Sequence, residues 1–212
     1  MEYIKFRHPF TCMVSGPTSS GKTFLVRDIL KNFKLLISID KPILNVLWAY
    51  GQWQSLYTDP IADDVKVDYV KGLPMQDELS GHDIIIIDDL MTELGNNKDL
   101  SALFTKGSHH MNISVIFITQ NFYHQASQMR TLHVNSHYII MMNSPRGKSS
   151  LRHLSTDLFT NKNFLIEAYD DATKDSFSYI RIDLTQQTPN KYRVTSKLTP
   201  KPDFRPVFYI PK

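Results

Sequence analysis

The stretch SGPTSSGKT, Ser15 to Thr23, constrains this chain more than any other. Two glycines, a lysine and a threonine stand in the order Gly-x-x-x-x-Gly-Lys-Thr, after the apolar run FTCMV and at the head of a helical pattern from Lys22 to Asn32. Glycines let a backbone wrap closely around phosphate oxygens, and a loop that opens onto a helix N-terminus offers free N–H groups to an anion. In such a loop Gly16, Pro17, Thr18, Ser19, Ser20 and Gly21 form the cradle, Lys22 reaches the β- and γ-phosphates, and Thr23 places its hydroxyl on Mg²⁺. The strand before it and the helix after it set the match apart from a Gly/Ser-rich turn.

The runs TCMVSG, PILNVLWAY, DIIIIDD, ISVIFITQ and HYIIMMN are of strand length and apolar on both faces, which suits buried parallel strands. Helical segments fall between them: Lys22 to Asn32, a stretch around Asn97 to Lys106, and one within Phe122 to Leu132. That alternation predicts an α/β fold, a mostly parallel sheet with helices on both faces. After Pro145 the pattern changes. PRGKSSLRHLSTDLF reads as a helix, FLIEAYDDATKDSFSYIRIDL as two strands of a C-terminal β-hairpin, and the prolines at 200, 202, 206 and 211 favour an extended arm. The expected organisation is a phosphate-loop domain over 1–185 and a basic, proline-rich tail over 186–212.

A phosphate loop alone does not hold a metal. DIIIIDDL supplies the second element: Asp88 and Asp89 stand at the C-terminal end of a buried strand, where open α/β sheets bind ligands. Asp88 is the expected Mg²⁺ contact and Asp89 the group that polarises the attacking water, with Glu93 a few residues on as reserve base. An aspartate here can also cap the following helix, which accounts for Asp89 or Asp83 singly but not for the pair 88–89. The third element is SVIFITQN, whose Thr119, Gln120 and Asn121 put an amide at a strand end near the γ-phosphate.

Charge, cysteine and hydropathy set the outer bounds. One cysteine, Cys12, rules out a disulfide within the chain and points to a reducing compartment. No stretch approaches the roughly 18 apolar residues of a membrane span, so a soluble, intracellular protein is expected. The net charge of +3 is too small to imply nucleic acid by itself, but residues 1–144 carry 12 Lys+Arg against 14 Asp+Glu and residues 145–212 carry 12 against 7. The excess is C-terminal, where Arg146, Lys148 and Arg152 lie in one expected helix and Lys191, Arg193 and Lys197 form a second group. GSHH, Gly107 to His110, lacks the partners of a zinc site. Trp48, Tyr50 and Trp53 are able to stack on a base or to pack against the sheet.

In order, GPTSSGKT, VLWAYGQWQSLY, IIIIDDLMTEL, LFTKGSHHMNISVIFITQNFYHQ, RTLHVNSHYIIMMNSPR and FLIEAYDDAT resemble the DNA-packaging ATPases of the FtsK–HerA superfamily, above all the poxvirus-type and Polinton-type genome-packaging ATPases. The resemblance spans roughly residues 10 to 185. It implies a RecA-like P-loop core with ATP and Mg²⁺ as cofactors, assembled into a homo-oligomeric ring that drives double-stranded DNA, independent of its sequence, into a capsid. It also implies a capsid or portal partner, no membrane partner, and residence at the site of virion assembly or with the virion. By the same likeness Gly16, Gly21, Lys22 and Thr23 bind nucleotide, Asp88 and Asp89 serve metal and water, and Gln120 is the sensor. Many of these translocases carry Asp-Glu where this chain has Asp-Asp, so Asp89 and Glu93 both stand as the base. Ring ATPases add an arginine finger, often from a neighbouring subunit, and Arg130 and Arg146 are its candidates. A nucleotide-locked scaffolding subunit and a small P-loop kinase are the competing readings. Water-orienting groups argue against the first, and the absence of a compact Arg-rich lid segment argues against the second.

Overall fold

The structure, a computed structural model, describes residues 4–90, 111–120, 132, 134–144, 148–199 and 205–211. The strands are β1 (Thr11–Ser15), β2 (Leu44–Tyr50), β3 (Val65–Lys71), β4 (Ile84–Asp88), β5 (Ser114–Thr119), β6 (Tyr138–Met142), β7 (Tyr179–Asp183), β8 (Val194–Ser196) and β9 (Val207–Tyr209). The helices among the described residues are α1 (Lys22–Lys31), α2 (Phe33–Leu36), α3 (Lys148–Leu158) and α4 (Phe164–Ala172). The nine strands among the described residues join one sheet in the order β3-β2-β4-β5-β1-β6-β7-β8-β9. From β3 to β6 neighbours are parallel, and from β6 to β9 they are antiparallel.

Burial on both faces explains the apolar runs. Successive side chains of a strand point to opposite faces, so in β4 Ile84 and Ile86 join the core under α1 and α2, with Val26, Leu30 and Phe33. Ile85 and Ile87 join the other core, with Leu151 of α3 and Leu165 of α4. Each face thus takes two of the four isoleucines, and both layers of helix are anchored on one strand.

The C-terminal part differs from its sequence reading. Phe164–Ala172 is a helix, not the first strand of a hairpin. Its buried residues Phe164, Leu165, Ala168, Tyr169 and Ala172 recur at one helical face. The hairpin instead pairs β7 with β8, and β9 adds a further antiparallel strand to β8. The segment expected as a tail therefore contributes two strands to the sheet, and Leu198 is fully buried in its core. Also unanticipated, β3 pairs with β2 as the edge of the parallel half. The expected helices around 97–106 and within 122–132 fall, apart from Leu132, outside the described residues. No helix among the described residues is long and apolar enough to cross a membrane.

Candidate nucleotide site

The parallel order brings three strand ends together. Because β5 lies between β1 and β4, the loop after β1, the residue after β5 and the end of β4 stand side by side at the C-terminal edge. The loop Gly16–Gly21 turns from β1 into α1. A side chain at Gly16 would put its Cβ 2.6 Å from that of Met142, so only glycine fits against β6. Gly21 has φ 90°, a conformation glycine adopts without strain. Ser19 also has positive φ, and the buried Ser20 hydroxyl has no hydrogen-bond partner among the described residues.

Lys22 and Thr23 begin α1. The Lys22 ammonium donates to the carbonyls of Gly16 and Pro17, both at 2.8 Å, which holds Nζ across the loop. Partial burial pulls its pKa below that of an ordinary lysine, against the opposing pull of Asp88 and Asp89. Thr23 Oγ1 donates to Asp88 Oδ2 at 3.4 Å, and the Tyr57 hydroxyl donates to the same oxygen at 2.8 Å. Asp88 is 3% exposed, and burial raises its carboxyl pKa; the Asp89 charge adds to the rise, while the Tyr57 and Thr23 hydrogen bonds and Lys22 oppose it. Asp89 is exposed, at φ 56°, a region that costs a non-glycine residue energy and recurs at functional sites.

Gln120 links the elements. Thr18 Oγ1 donates to Gln120 Oε1 and Gln120 Nε2 donates to Asp89 Oδ1, each at 3.2 Å. One amide therefore spans from the phosphate loop to the second aspartate. A cleft of about 810 Å³ opens here, lined by Lys22, Thr23, Asp88, Asp89 and Gln120 and walled by Trp53.

Tyr57 is the site residue that sequence reading missed. It sits in a 3-10 turn, Ser55–Thr58, within a cluster of rings: Trp48 at 5.4 Å, Trp53 at 5.4 Å, Tyr50 at 5.8 Å, and Tyr69 stacked at 5.2 Å. Burial and the nearby Asp88 charge push its hydroxyl pKa well above the ordinary value, so it stays a donor. Trp48 is fully buried, which places it with packing rather than base stacking.

Glu93, Arg130 and Arg146 lie outside the described residues, as do Asn121 and Gly107 to His110. The basic groups are partly spoken for. Lys148, at the start of α3, pairs with Asp170 of α4 at 2.7 Å, whereas Arg152 is exposed. Arg193 donates to the carbonyls of Asp183 and Thr185 and so holds a turn together. Lys191 lies over the ring of Tyr192, and Lys197 is exposed.

No family model and no curated protein matches the chain. Solved structures do. The genome packaging NTPase B204 from Sulfolobus turreted icosahedral virus 2, in complex with ATP-gammaS, is 16% identical with a TM-score of 0.53, over 85% of this chain and 95% of that one. B204, the DNA-packaging ATPase from Sulfolobus turreted icosahedral virus, is 15% identical with a TM-score of 0.53, over 86% and 96%. The virus 2 protein in complex with AMPPCP gives 16% and 0.52, over 84% and 94%. The likeness extends over most of this chain and nearly all of the others, and the fold is that of a P-loop NTPase.

Proposed function

We propose that this chain is a Mg²⁺-dependent ATPase that drives double-stranded DNA into a capsid. The observation that carries the reading is the hydrogen-bonded span Thr18–Gln120–Asp89 beside the buried Asp88. A protein that only stores a nucleotide has no use for an amide fixed between its phosphate loop and a second carboxylate. The likeness to packaging NTPases, one of them solved in complex with each of two ATP analogues, supports the nucleotide and the packaging role. It lends no weight to the narrower poxvirus-type or Polinton-type assignment.

The donor set fits a small divalent cation: a buried carboxylate at a strand end, a threonine hydroxyl on the same oxygen, and the loop that would hold the phosphates. Asp88 and Thr23 would hold Mg²⁺, which when bound would supply positive charge to offset the charge that develops during phosphoryl transfer. Lys22 lies across the loop and faces the same phosphates. Asp89, with one oxygen fixed by Gln120, presents the other to water and takes its proton; Glu93 is the reserve for that role. Arg130 or Arg146 from a neighbouring subunit completes the site in a homo-oligomeric ring. Arg152, with Arg146 and Lys148, contacts DNA phosphates without reading sequence. A capsid or portal protein is the docking partner.

The test is ATP hydrolysis against protein concentration, with and without double-stranded DNA. Specific activity per subunit is expected to rise with concentration and with DNA, and an excess of Arg130→Ala or Arg146→Ala subunits to poison wild-type rings. Turnover strictly proportional to concentration, indifferent to DNA and unpoisoned, would refute the shared-site motor.

A further inference from the structure

Resting on the nucleotide reading above, we propose that Phe177 is the nucleobase platform of this site, a stacking surface for the base of a nucleoside triphosphate on the β6–β7 side of the phosphate loop. Asp88, Asp89 and Gln120 all lie on the β4–β5 side of β1, so the reacting end of a triphosphate points there. Its nucleoside end must then leave toward the opposite side, where β6 and β7 follow β1 in the sheet.

Phe177 stands at that exit. It lies just before β7, and a Cβ on Gly21 would come within 3.2 Å of its ring. The side chain is 68% exposed and adds little to the core. Its φ is 60°, a strained backbone for a bulky residue, and such strain persists only where the surroundings impose it. Here they do. Asn143, just after β6, donates its backbone N–H to Ser178 O at 2.9 Å, and its side chain donates to Thr173 O at 3.0 Å and Asp175 O at 3.3 Å. The buried Tyr169 hydroxyl donates to Met142 O at 2.9 Å and accepts from Ser144 N at 2.7 Å. The turn is thus braced against the end of β6, and an aromatic ring is held in solvent beside the loop. On the other side Trp53 packs against Tyr50, Tyr57 and Tyr69, in the cleft that also holds Asp88.

A ring platform reads π surface rather than a hydrogen-bond pattern, so purines should bind better than pyrimidines and ATP and GTP should differ little. The test compares equilibrium binding of ATP-gammaS with that of inorganic tripolyphosphate, which has no base. Phe177→Ala is expected to weaken ATP-gammaS about five- to 150-fold, the range of a lost base stack, and to leave tripolyphosphate within about twofold. Phe177→Trp should restore ATP-gammaS. Phe177→Gly should lose the same affinity while raising the melting temperature, since glycine tolerates positive φ. Unchanged ATP-gammaS affinity in Phe177→Ala overturns the proposal, as does a loss that tripolyphosphate shares equally. A loss confined to Trp53→Ala, or to Phe24→Ala at the exposed ring that lines the same cleft, places the base in the cleft and overturns it too. If the wild-type protein binds neither probe, the nucleotide reading itself has failed.

Discussion

Two buried aspartates bracket β4 and are handled in opposite ways. Asp83, just before the strand, is 5% exposed and Asp88, its last residue, is 3% exposed. Asp83 accepts from the ammonium of Lys41 and from the backbone N–H of Asn45 at 3.0 Å, so a charge and a main-chain donor of the same chain satisfy it. Among the described residues Asp88 accepts only from two neutral hydroxyls, Thr23 and Tyr57, while Lys22 is committed to loop carbonyls. A buried carboxylate costs free energy unless something offsets it. At Asp83 the offset is built in and the result is structure. At Asp88 it is incomplete among the described residues, which is the condition the proposed cation would meet.

Activity should separate the two aspartates most. Asp88→Asn and Lys22→Ala are each expected to lower steady-state ATP turnover by about 10²-fold or more, and Lys22→Ala should weaken nucleotide binding as well. Asp83→Asn should stay within a few-fold of wild type. Asp89→Asn should keep ATP binding and lose turnover by about 10²- to 10⁴-fold, because an amide can hold water but cannot take its proton. Loss in Glu93→Gln with normal turnover in Asp89→Asn would move the base to Glu93.

In stability the two should differ in sign. Asp83→Asn removes the partner of Lys41 and is expected to destabilise by about 1–3 kcal/mol. Asp88→Asn relieves a desolvated charge and is expected to stabilise by about 0.5–2 kcal/mol, the trade found at strained functional sites. Because burial raises the folded-state pKa of Asp88 above its ordinary 3.8, the folded protein holds that proton more tightly than the unfolded chain. The penalty that Asp88→Asn relieves is therefore complete above the raised value and fades as pH falls toward 3.8. Denaturant titrations with a chelator present check both signs; two losses of equal size would mean Asp88 is as fully offset as Asp83.

The same contrast marks how far the sequence could be read. Gly16 to Thr23, Asp88 with Asp89, and Gln120 were legible because each is a polar group at the end of an apolar run, and strand ends on one edge of a parallel sheet meet. The four isoleucines of β4 announced two buried faces for the same reason. Tyr57 was not legible, since its place depends on rings from β2, β3 and the 53–57 segment that converge only in the fold. Nor was Phe177, whose φ is set by Asn143 and Tyr169, far from it in sequence. The α4 error was avoidable: the spacing of Phe164, Leu165, Ala168, Tyr169 and Ala172 already carried the helical period.

Tyr57→Phe should have a smaller effect, because it removes one neutral donor and leaves the ring in its cluster. The loss is expected to be about 0.5–1.5 kcal/mol, read as a two- to tenfold higher Mg²⁺ concentration needed for nucleotide binding, followed by the fluorescence of Trp53 beside it. An unchanged Mg²⁺ dependence would show that Thr23 alone orients Asp88.

The smallest effect applies the contrast to cations. Lys148 pairs with Asp170 while Arg152, one turn on, makes no ion pair among the described residues. The pair is about half exposed on both sides, so it holds Lys148 by no more than about 1 kcal/mol, and phosphate can compete for it. Arg152→Ala should therefore reduce the salt dependence of DNA affinity by close to the full 0.9 in log–log slope that one neutralised phosphate contributes, and Lys148→Ala by less. Asp170→Asn, which releases Lys148, should raise DNA affinity a few-fold at low salt and hardly at all at high salt. Double-stranded DNA binding across a salt series measures all three. Equal slopes for the two alanine variants would mean that Asp170 does not sequester Lys148. An unchanged slope in every variant would take DNA off this helix and leave its basic face to a capsid or portal protein.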